Sequence, residues 1–412
     1  MPLTKKILPA AMLLASMTTF SYAEDINIFL SPSPSATAIE SFIPAYEKKT
    51  GNKVHVTEVP YGEMHQKLML SVQLKQGQYD VAQFDNSFLT PFGAAGVMSP
   101  LDDMIASSKD YGIDDFDQAG QDYGKYKGKT LGLTLSTEPM IQWYRTDIYK
   151  ELGLKPATTW EEFKANAKAV KESGKGDGAI FGWGANVSWW WMMLVWSYGG
   201  HLYDDNYNPQ LNTPEAIAAT QYLKDLVPYG PAGALSASSD DATNKFLSTN
   251  IGAMVQWAGY WGSLADPANQ KYAGKIGTAP MPKGTADIAF LSGWNIGVPS
   301  DAKNPKLGWE FLEFVLGKPN AKNFLTAGAA AIGRKSIVSD PELVAKYSYL
   351  PTLSIPASLR IERYPQLRVW PEFEKAALDT LAGIMNGSVE VKAGLDALQE
   401  TEKPILAQET AK

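Results

Sequence analysis

Strand-like and helical segments alternate over the first part of the chain, and this alternation restricts the fold more than any other feature. Segments 26–30, 54–56 and 79–84 have strand character, and segments 39–46 and 64–72 repeat apolar residues at helical spacing. A strand–helix–strand order at this spacing needs crossover connections between parallel strands. The pattern therefore predicts an α/β protein with a mainly parallel sheet.

The same pattern returns further along the chain. Thr159 and Glu162 form a capping box, Thr213 caps another helix, and 179–184 and 251–255 read as strands. The last third is largely helical. We therefore predict two lobes, each a mainly parallel sheet flanked by helices, with a hinge crossed by several segments. The predicted bounds are 24–136 with 284–333 for the first lobe and 137–283 with 334–412 for the second.

The N-terminus resembles a secretory signal. Lys5 and Lys6 precede a short apolar stretch at Ile7–Leu14, and small residues follow at Ser21–Ala23. Residues 1–23 are therefore set apart from the fold, and we expect a periplasmic location. The sequence has no cysteine, so neither a disulfide framework nor a lipid-modified N-terminal cysteine is expected.

Composition argues against several classes of function. The net charge is −7 and only five residues are arginine, which does not suit nucleic-acid binding. The three histidines are widely separated, so we expect no metal site and no cofactor. Asp204 to Glu215 partly matches a calcium loop, but Pro209 stands where glycine is required. A turn followed by the Thr213-capped helix is the better interpretation.

Aromatic residues suggest a binding surface. Trp189, Trp190 and Trp191 are consecutive and follow the polar residues Asn186 and Ser188. An indole offers a broad apolar face and one N–H donor, which suits the C–H faces and hydroxyl edges of a sugar. Packing in a hydrophobic core is the competing interpretation for each ring. Further aromatic residues occur at Trp257, Tyr260, Trp261 and Trp294.

Several short motifs occur in a characteristic order. They are Tyr79-Asp80-Val81 with Asp85, Gly93–Asp102, Gln142–Asp147, Gly199-Gly200, Gly252-Ala253-Met254, Ser292-Gly293-Trp294 and Arg363-Tyr364-Pro365. In this order the chain resembles the family 1 extracellular solute-binding proteins of ABC importers, in the sugar-specific branch that includes maltose-binding protein. The resemblance implies a two-lobe periplasmic-binding-protein fold, a ligand between the lobes and no enzymatic activity. It also implies crossings near Ser136–Pro139, Pro280–Gly284 and Ala331–Arg334.

The resemblance also implies a set of ligand contacts. Ser33 and Ser35 follow the first strand, Asp85 follows the third, and Glu138 lies at the hinge. Asp85 could instead cap the next helix, and Glu138 could face solvent. Arg363 is the expected C-terminal arginine, with Arg360 and Arg368 as alternatives. The other implied contacts are Phe84, Asn86, Trp189, Trp190, Trp257, Tyr260, Trp261, Gly293, Trp294 and Asn295.

These observations support one leading hypothesis and two alternatives. The leading hypothesis is a monomeric periplasmic receptor that captures a sugar or sugar alcohol and delivers it to an ABC permease and its ATPase. The first alternative is a binding protein for an anionic solute, which the C-terminal arginines would bind. The second is a secreted carbohydrate-cleaving enzyme, because carboxylates are plentiful.

Overall fold

The computed structural model describes residues 24–116, 118–261, 271–272, 274–328, 333–347, 349–350 and 358–410. The strands are β1 (Asp25–Leu30), β2 (Lys53–Glu58), β3 (Val81–Asp85), β4 (Lys125–Tyr126), β5 (Lys129–Thr130), β6 (Leu133–Thr134), β7 (Glu138–Arg145), β8 (Asp177–Ile180), β9 (Ile251–Trp257), β10 (Ile276–Ala279), β11 (Ile288–Ser292), β12 (Trp294–Gly297) and β13 (Arg360–Arg363).

The helices are α1 (Pro34–Thr50), α2 (Tyr61–Gln73), α3 (Leu89–Ala95), α4 (Asp102–Ser107), α5 (Gln118–Asp122), α6 (Thr146–Glu151), α7 (Trp160–Glu172), α8 (Val187–Ser197), α9 (Pro214–Leu226), α10 (Ser239–Ser248), α11 (Pro305–Leu316), α12 (Ala321–Thr326), α13 (Lys335–Val338), α14 (Pro341–Lys346), α15 (Trp370–Met385) and α16 (Val391–Leu406). None of the helices in these ranges combines the length and the apolar character that a membrane crossing needs.

The first lobe is built on a sheet in the order β2-β1-β3-β12-β6. Strands β2, β1 and β3 run parallel, as the alternating pattern predicts. Strand β12 runs antiparallel to both of its neighbours, β3 and β6, so β6 has the same direction as β3. Helix α1 packs against α11, with the ring centroids of Tyr46 and Phe311 5.1 Å apart. This apolar layer buries Ile26, Ile28 and Ile296 of the sheet, so the first lobe has a core of its own.

The second lobe is built on a sheet in the order β13-β11-β7-β9-β8, with β10 paired to β7. Among the described strands of this sheet, the parallel pairs are β13 with β11 and β8 with β9. The long strand β7 runs opposite to β11, β9 and β10. The α/β fold class is confirmed, but this sheet is mixed where the alternation predicted a mainly parallel one. The difference arises because β7 enters from the hinge against the direction of its neighbours.

Two of the crossings between the lobes lie side by side. One runs from Thr134 to Glu138, and the other is Ser292-Gly293-Trp294. The N–H of Trp294 donates to the carbonyl of Ser136 at 3.2 Å, and the N–H of Ser136 donates back to the carbonyl of Trp294 at 3.2 Å. The two segments are therefore held together as one short antiparallel hinge.

The structure corrects the predicted lobe boundaries in two places. Residues 288–292 form β11 of the second sheet, so the second crossing comes at Gly293 and not near Pro280–Gly284. Of the third predicted crossing, residues 329–332 lie outside the described residues. Arg334 belongs to the first lobe, because its guanidinium donates to the carbonyls of Tyr111 at 2.7 Å and Leu316 at 2.6 Å. Arg334 therefore lies in the first lobe, although the predicted bounds placed it in the second.

A buried carboxyl in α16 makes the stability of the fold depend on pH. Glu402 is 0 % exposed, and neither of its oxygens has a hydrogen-bond partner among the described residues. Burial raises the pKa of Glu402 to about 8. Because the folded state holds this proton more tightly than the unfolded chain, stability is full below pH 4.5 and falls as the pH rises towards 8.

We expect Glu402→Gln to raise the free energy of unfolding by about 3 kcal/mol at pH 8.5 and by little at pH 4.5. Urea unfolding at the two pH values measures this, and an equal effect at both would contradict it.

Candidate functional site

A cavity of about 540 Å³ lies between the two lobes, next to the paired hinge segments. Residues from both sheets and from α1, α2, α8 and α15 line it. The predicted site residues on its wall are Ser33, Ser35, Asp85, Glu138, Trp189, Trp257, Tyr260, Gly293 and Trp294. The structure therefore brings together residues that are as much as 261 positions apart in the sequence.

Strand register places Asp85 and Trp294 at the cavity. Asp85 ends β3, Trp294 begins β12, and the two residues are opposite each other in the antiparallel pair. Asp85 is 4 % exposed, and its carboxylate accepts a hydrogen bond from the N–H of Ser87 at 2.8 Å. Burial raises the pKa of Asp85 to about 6, against the lowering effect of the Ser87 bonds. Asp85 thus caps the following turn and also faces the cavity, so the two interpretations from the sequence are compatible.

Glu138 occupies the matching position in the second sheet. It begins β7 and is opposite Ser292, the residue just before the Gly293 crossing. Its carboxylate lies against the backbone of Gly259, where a side chain would overlap it. Burial raises the pKa of Glu138 to about 7, and Asp85 adds to the rise, while Ser136 and the backbone of Gly259 lower it. The side chain is only 8 % exposed and does not face open solvent.

The three consecutive tryptophans point in different directions. They lie in the first turn of α8, where successive side chains are about 100° apart. Trp189 faces the cavity, whereas Trp190 donates to the carbonyl of Val255 at 2.9 Å and Trp191 donates to Thr220 at 2.9 Å. Trp190 is 1 % exposed and packs in the core. Trp190 therefore packs in the core and does not line the cavity, although the resemblance had implied that it would. Of the three tryptophans, Trp189 is the one that lines the cavity.

Aromatic rings from both lobes meet across the cavity. Tyr61 of α2 makes an edge contact with Trp189 at 5.6 Å and another with Trp294 at 6.0 Å between ring centroids. In the second lobe, Trp257 and Tyr364 lie 6.2 Å from Trp189. The two lobes are therefore in contact around the cavity, and aromatic rings form part of its wall.

The serine loop after β1 is held from the neighbouring strand. The amide of Gln83 donates to Ser33 Oγ at 3.2 Å and accepts from the N–H of Ser31 at 3.1 Å. Ser33 in turn caps α1 by accepting from the N–H of Ala36 at 3.1 Å. Ser33 thus reaches the cavity from a fixed loop, and Ser35 reaches it from the first turn of α1.

Four predicted contacts in the hinge and core do not line the cavity. Phe84 is completely buried and packs on Phe92 of α3, and Asn295 is completely buried in the first lobe. Trp261 stacks on Tyr349 at 5.2 Å. Asn86 donates to the carbonyl of Tyr123 at 2.8 Å. Phe84 and Asn295 are separated from the wall by the alternation of side chains along β3 and β12.

The C-terminal arginines also lie away from the cavity wall. Arg363 places its guanidinium 5.6 Å from the ring centre of Tyr123. Arg360 pairs with Glu362 at 2.6 Å, and Arg368 pairs with Glu409 at 3.2 Å. Each is therefore already engaged with the protein, and the arginine that the resemblance implied is not on the wall.

The cavity also uses residues that the sequence did not single out. Glu374 of α15 is the most informative, because its carboxylate accepts from the indole of Trp189 and the hydroxyl of Ser188, both at 3.1 Å. Burial raises the pKa of Glu374 to about 7. No local pattern separates it from the other acids of its helix. Other lining residues that the sequence did not single out include Tyr61, His65, Phe88 and Asp240.

Comparison with known proteins identifies the family. The family model for bacterial extracellular solute-binding proteins matches residues 31–322. The chain is a member of this family. The fold also matches a solved solute-binding protein of Agrobacterium radiobacter K84 in complex with ribitol, with a TM-score of 0.85, 25 % identity and coverage of 92 % of this chain and 98 % of that one.

Two further relatives have a similar level of sequence identity. A probable amino-acid ABC transporter periplasmic-binding protein of Sinorhizobium fredii is 25 % identical over 86 % of this chain and 83 % of its own length. An arabinooligosaccharide-binding protein of Bacillus subtilis is 26 % identical over 72 % of this chain and 70 % of its own length. The solute-binding family is therefore shown, and the names of its relatives cover more than one class of solute.

Proposed function

We propose that this solute-binding protein captures a sugar or a sugar alcohol in the cavity between its lobes. The observation that carries the proposal is the composition of the wall, where Asp85 and Glu138 lie among the rings of Trp189, Trp257 and Trp294. Carboxylates accept hydrogen bonds from hydroxyl groups, and aromatic faces cover C–H surfaces. The ribitol complex of the similar Agrobacterium protein supports the same ligand class.

The charge of the wall argues against an anionic solute. Among the described lining residues the acids are Asp85, Glu138, Asp240, Glu374 and Asp379. The only lysine or arginine among them is Lys375, which is largely exposed and pairs with Asp379 at 2.6 Å. An anion would therefore meet carboxylates without a buried counter-charge.

The excess of acidic over basic residues on the wall also argues against an amino acid as ligand, although one relative is named as a probable amino-acid binding protein. The carboxylate of an amino acid needs a cationic or strongly donating partner in a buried site. The arginines at 360, 363 and 368 have other partners, as described above. A neutral polyhydroxy ligand requires no such counter-charge, because each hydroxyl both donates and accepts.

Binding is proposed to lead to transport and not to chemical change. By analogy with ABC transporter relatives, the closed, loaded form would deliver the solute to a membrane permease and its ATPase. We propose a monomer in the periplasm for this role. A ligand closes the lobes only through its greater affinity for the closed state, and residues from both lobes on one wall provide that difference.

Thermal unfolding with a small set of probes tests the ligand class. We expect ribitol, D-mannitol or an arabinooligosaccharide to raise the midpoint by about 4 °C or more at saturating concentration, and phosphate and glutamate to leave it unchanged. A rise with phosphate or glutamate alone would contradict the proposal. NMR of the released ligand should show the starting compound, and a cleaved product would favour the enzyme alternative.

A further inference from the structure

Helix α15 forms one wall of the cavity although it lies beyond residue 322, where the family match ends. Pro371, Glu374 and Leu378 recur at helical spacing and line the cavity on the same face. The helix is fixed from behind by Trp370 and Phe373, which are completely buried and stack at 5.8 Å. The position of Glu374 is therefore determined by the core of the second lobe.

The two oxygens of Glu374 differ in their surroundings. Oε1 accepts from Trp189 Nε1 and from Ser188 Oγ, both at 3.1 Å. Ser188 is 1 % exposed, so this pair of donors is sheltered from solvent. A carboxylate has about four acceptor positions over its two oxygens, so two bonds on Oε1 leave Oε2 with capacity for a ligand on the cavity side.

We propose that Glu374 is a specificity-determining residue, which binds a hydroxyl of the ligand at the second-lobe wall. The inference rests on the proposed function. It adds Glu374 to Asp85 and Glu138 as a third protein carboxylate that binds the ligand. A ligand without a hydroxyl at this position would cover the half-buried Glu374 carboxylate without giving it a hydrogen bond, which is costly. Glu374 thus selects polyhydroxy compounds with a free hydroxyl at this end over their deoxy analogues.

The electrostatics of the pocket agree with this role. Burial raises the pKa of Glu374, and Asp85 adds to the rise, whereas the bonds from Trp189 and Ser188 lower it. A ligand hydroxyl would supply a further donor to the ionised form. Tyr61 and His65 of α2 face this side of the cavity from the first lobe, so the hydroxyl bound by Glu374 is enclosed when the lobes are together.

The experiment compares Glu374→Gln with Glu372→Gln, an exposed carboxyl on the same helix outside the cavity wall. Isothermal titration uses ribitol and D-mannitol, and then the singly deoxygenated analogues of whichever binds more tightly. For the hydroxylated ligand we expect Glu374→Gln to raise Kd about 10-fold or more. For one deoxy analogue we expect a change of less than about 2-fold, because that ligand no longer uses the carboxylate. Glu372→Gln should leave both affinities unchanged.

Three other results would overturn the inference. If Glu374 only orients the indole of Trp189, Glu374→Gln should weaken the binding of every analogue by the same factor. In a Trp189→Phe background, Glu374→Gln should then leave Kd unchanged. If the wild type binds ribitol or D-mannitol and Glu374→Gln binds it equally well, this inference fails and the proposed function stands. If the wild type binds no sugar or sugar alcohol, both fail. The thermal melt of unliganded Glu374→Gln, compared with wild type, shows whether the variant is folded.

Discussion

Gly293→Ala is expected to destabilise the protein by about 4 kcal/mol or more. Gly293 has φ 153°, a conformation that residues with a side chain rarely adopt, and a Cβ atom there would overlap the carbonyl oxygen of Ser136. That carbonyl cannot move freely, because it accepts the N–H of Trp294 in the paired hinge. The substitution must therefore separate the two crossing segments or distort both.

Urea unfolding measures the effect of Gly293→Ala. A matched control is Gly233→Ala, which also introduces a side chain at positive φ, 73°, but has no atom within 4 Å of the new Cβ. The control should cost about 1–2 kcal/mol, the ordinary penalty of the left-handed conformation. Equal losses for the two variants would show that the contact between the hinge segments does not contribute. We also expect surviving Gly293→Ala protein to bind ligand weakly, because Trp294 and Asp85 are aligned through this hinge.

Glu138→Gln is expected to have opposite effects on stability and on ligand affinity. The pKa of Glu138 is about 7 in the folded protein, above its ordinary value of 4.5. The folded state therefore retains the proton, and its stability falls as the pH rises from 4.5 through 7. Removing the charge should raise the free energy of unfolding by about 2–3 kcal/mol above pH 7 in the absence of ligand. Chemical unfolding at pH 5 and pH 8.5 checks this sign.

The same substitution should raise Kd about 100-fold for the sugar or sugar alcohol, because hydrogen bonds to a buried charged acceptor are strong. Calorimetric titration measures this loss. Glu402→Gln is the matched control, since it also replaces a buried carboxyl but lies in α16, outside the cavity. It should stabilise the protein and leave Kd unchanged. A Glu138→Gln variant with normal affinity would exclude this residue from ligand binding.

Local patterns were sufficient to predict much of the secondary structure. Thr159 caps α7 by accepting from the N–H of Glu162, and Thr213 caps α9. The predicted capping box is not completed, because the Glu162 carboxylate accepts from Thr158 and not from the N–H of Thr159. The described part of the last third of the chain is largely helical, as predicted. These signals depend on neighbours within one or two helical turns, so they are readable without tertiary structure. The direction of strands in the second sheet was not predictable in this way, because it depends on how β7 enters from the hinge.

The candidate site was predictable to the extent that each residue sits at the end of a recognisable element. Asp85 at the end of β3 and Ser33 at the start of α1 are of this kind. Trp189 could not be distinguished from Trp190 by residue type, since the choice depends on the rotation of α8 against the sheet. Glu374 had no sequence signal, because its role comes from contacts with residues about 185 positions earlier.

The α/β class, the positions of several strands and helices and the resemblance to the solute-binding family could be read from the sequence, since they follow from periodicity and short motifs. The crossing at Gly293, the place of Arg334 in the first lobe and the position of the C-terminal arginines off the cavity wall became visible only in the folded chain. The two groups of features differ in the range of the interactions that produce them. Helix caps and apolar spacing act between near neighbours, whereas strand register, packing of α8 and burial of carboxylates depend on residues that meet only in the folded protein.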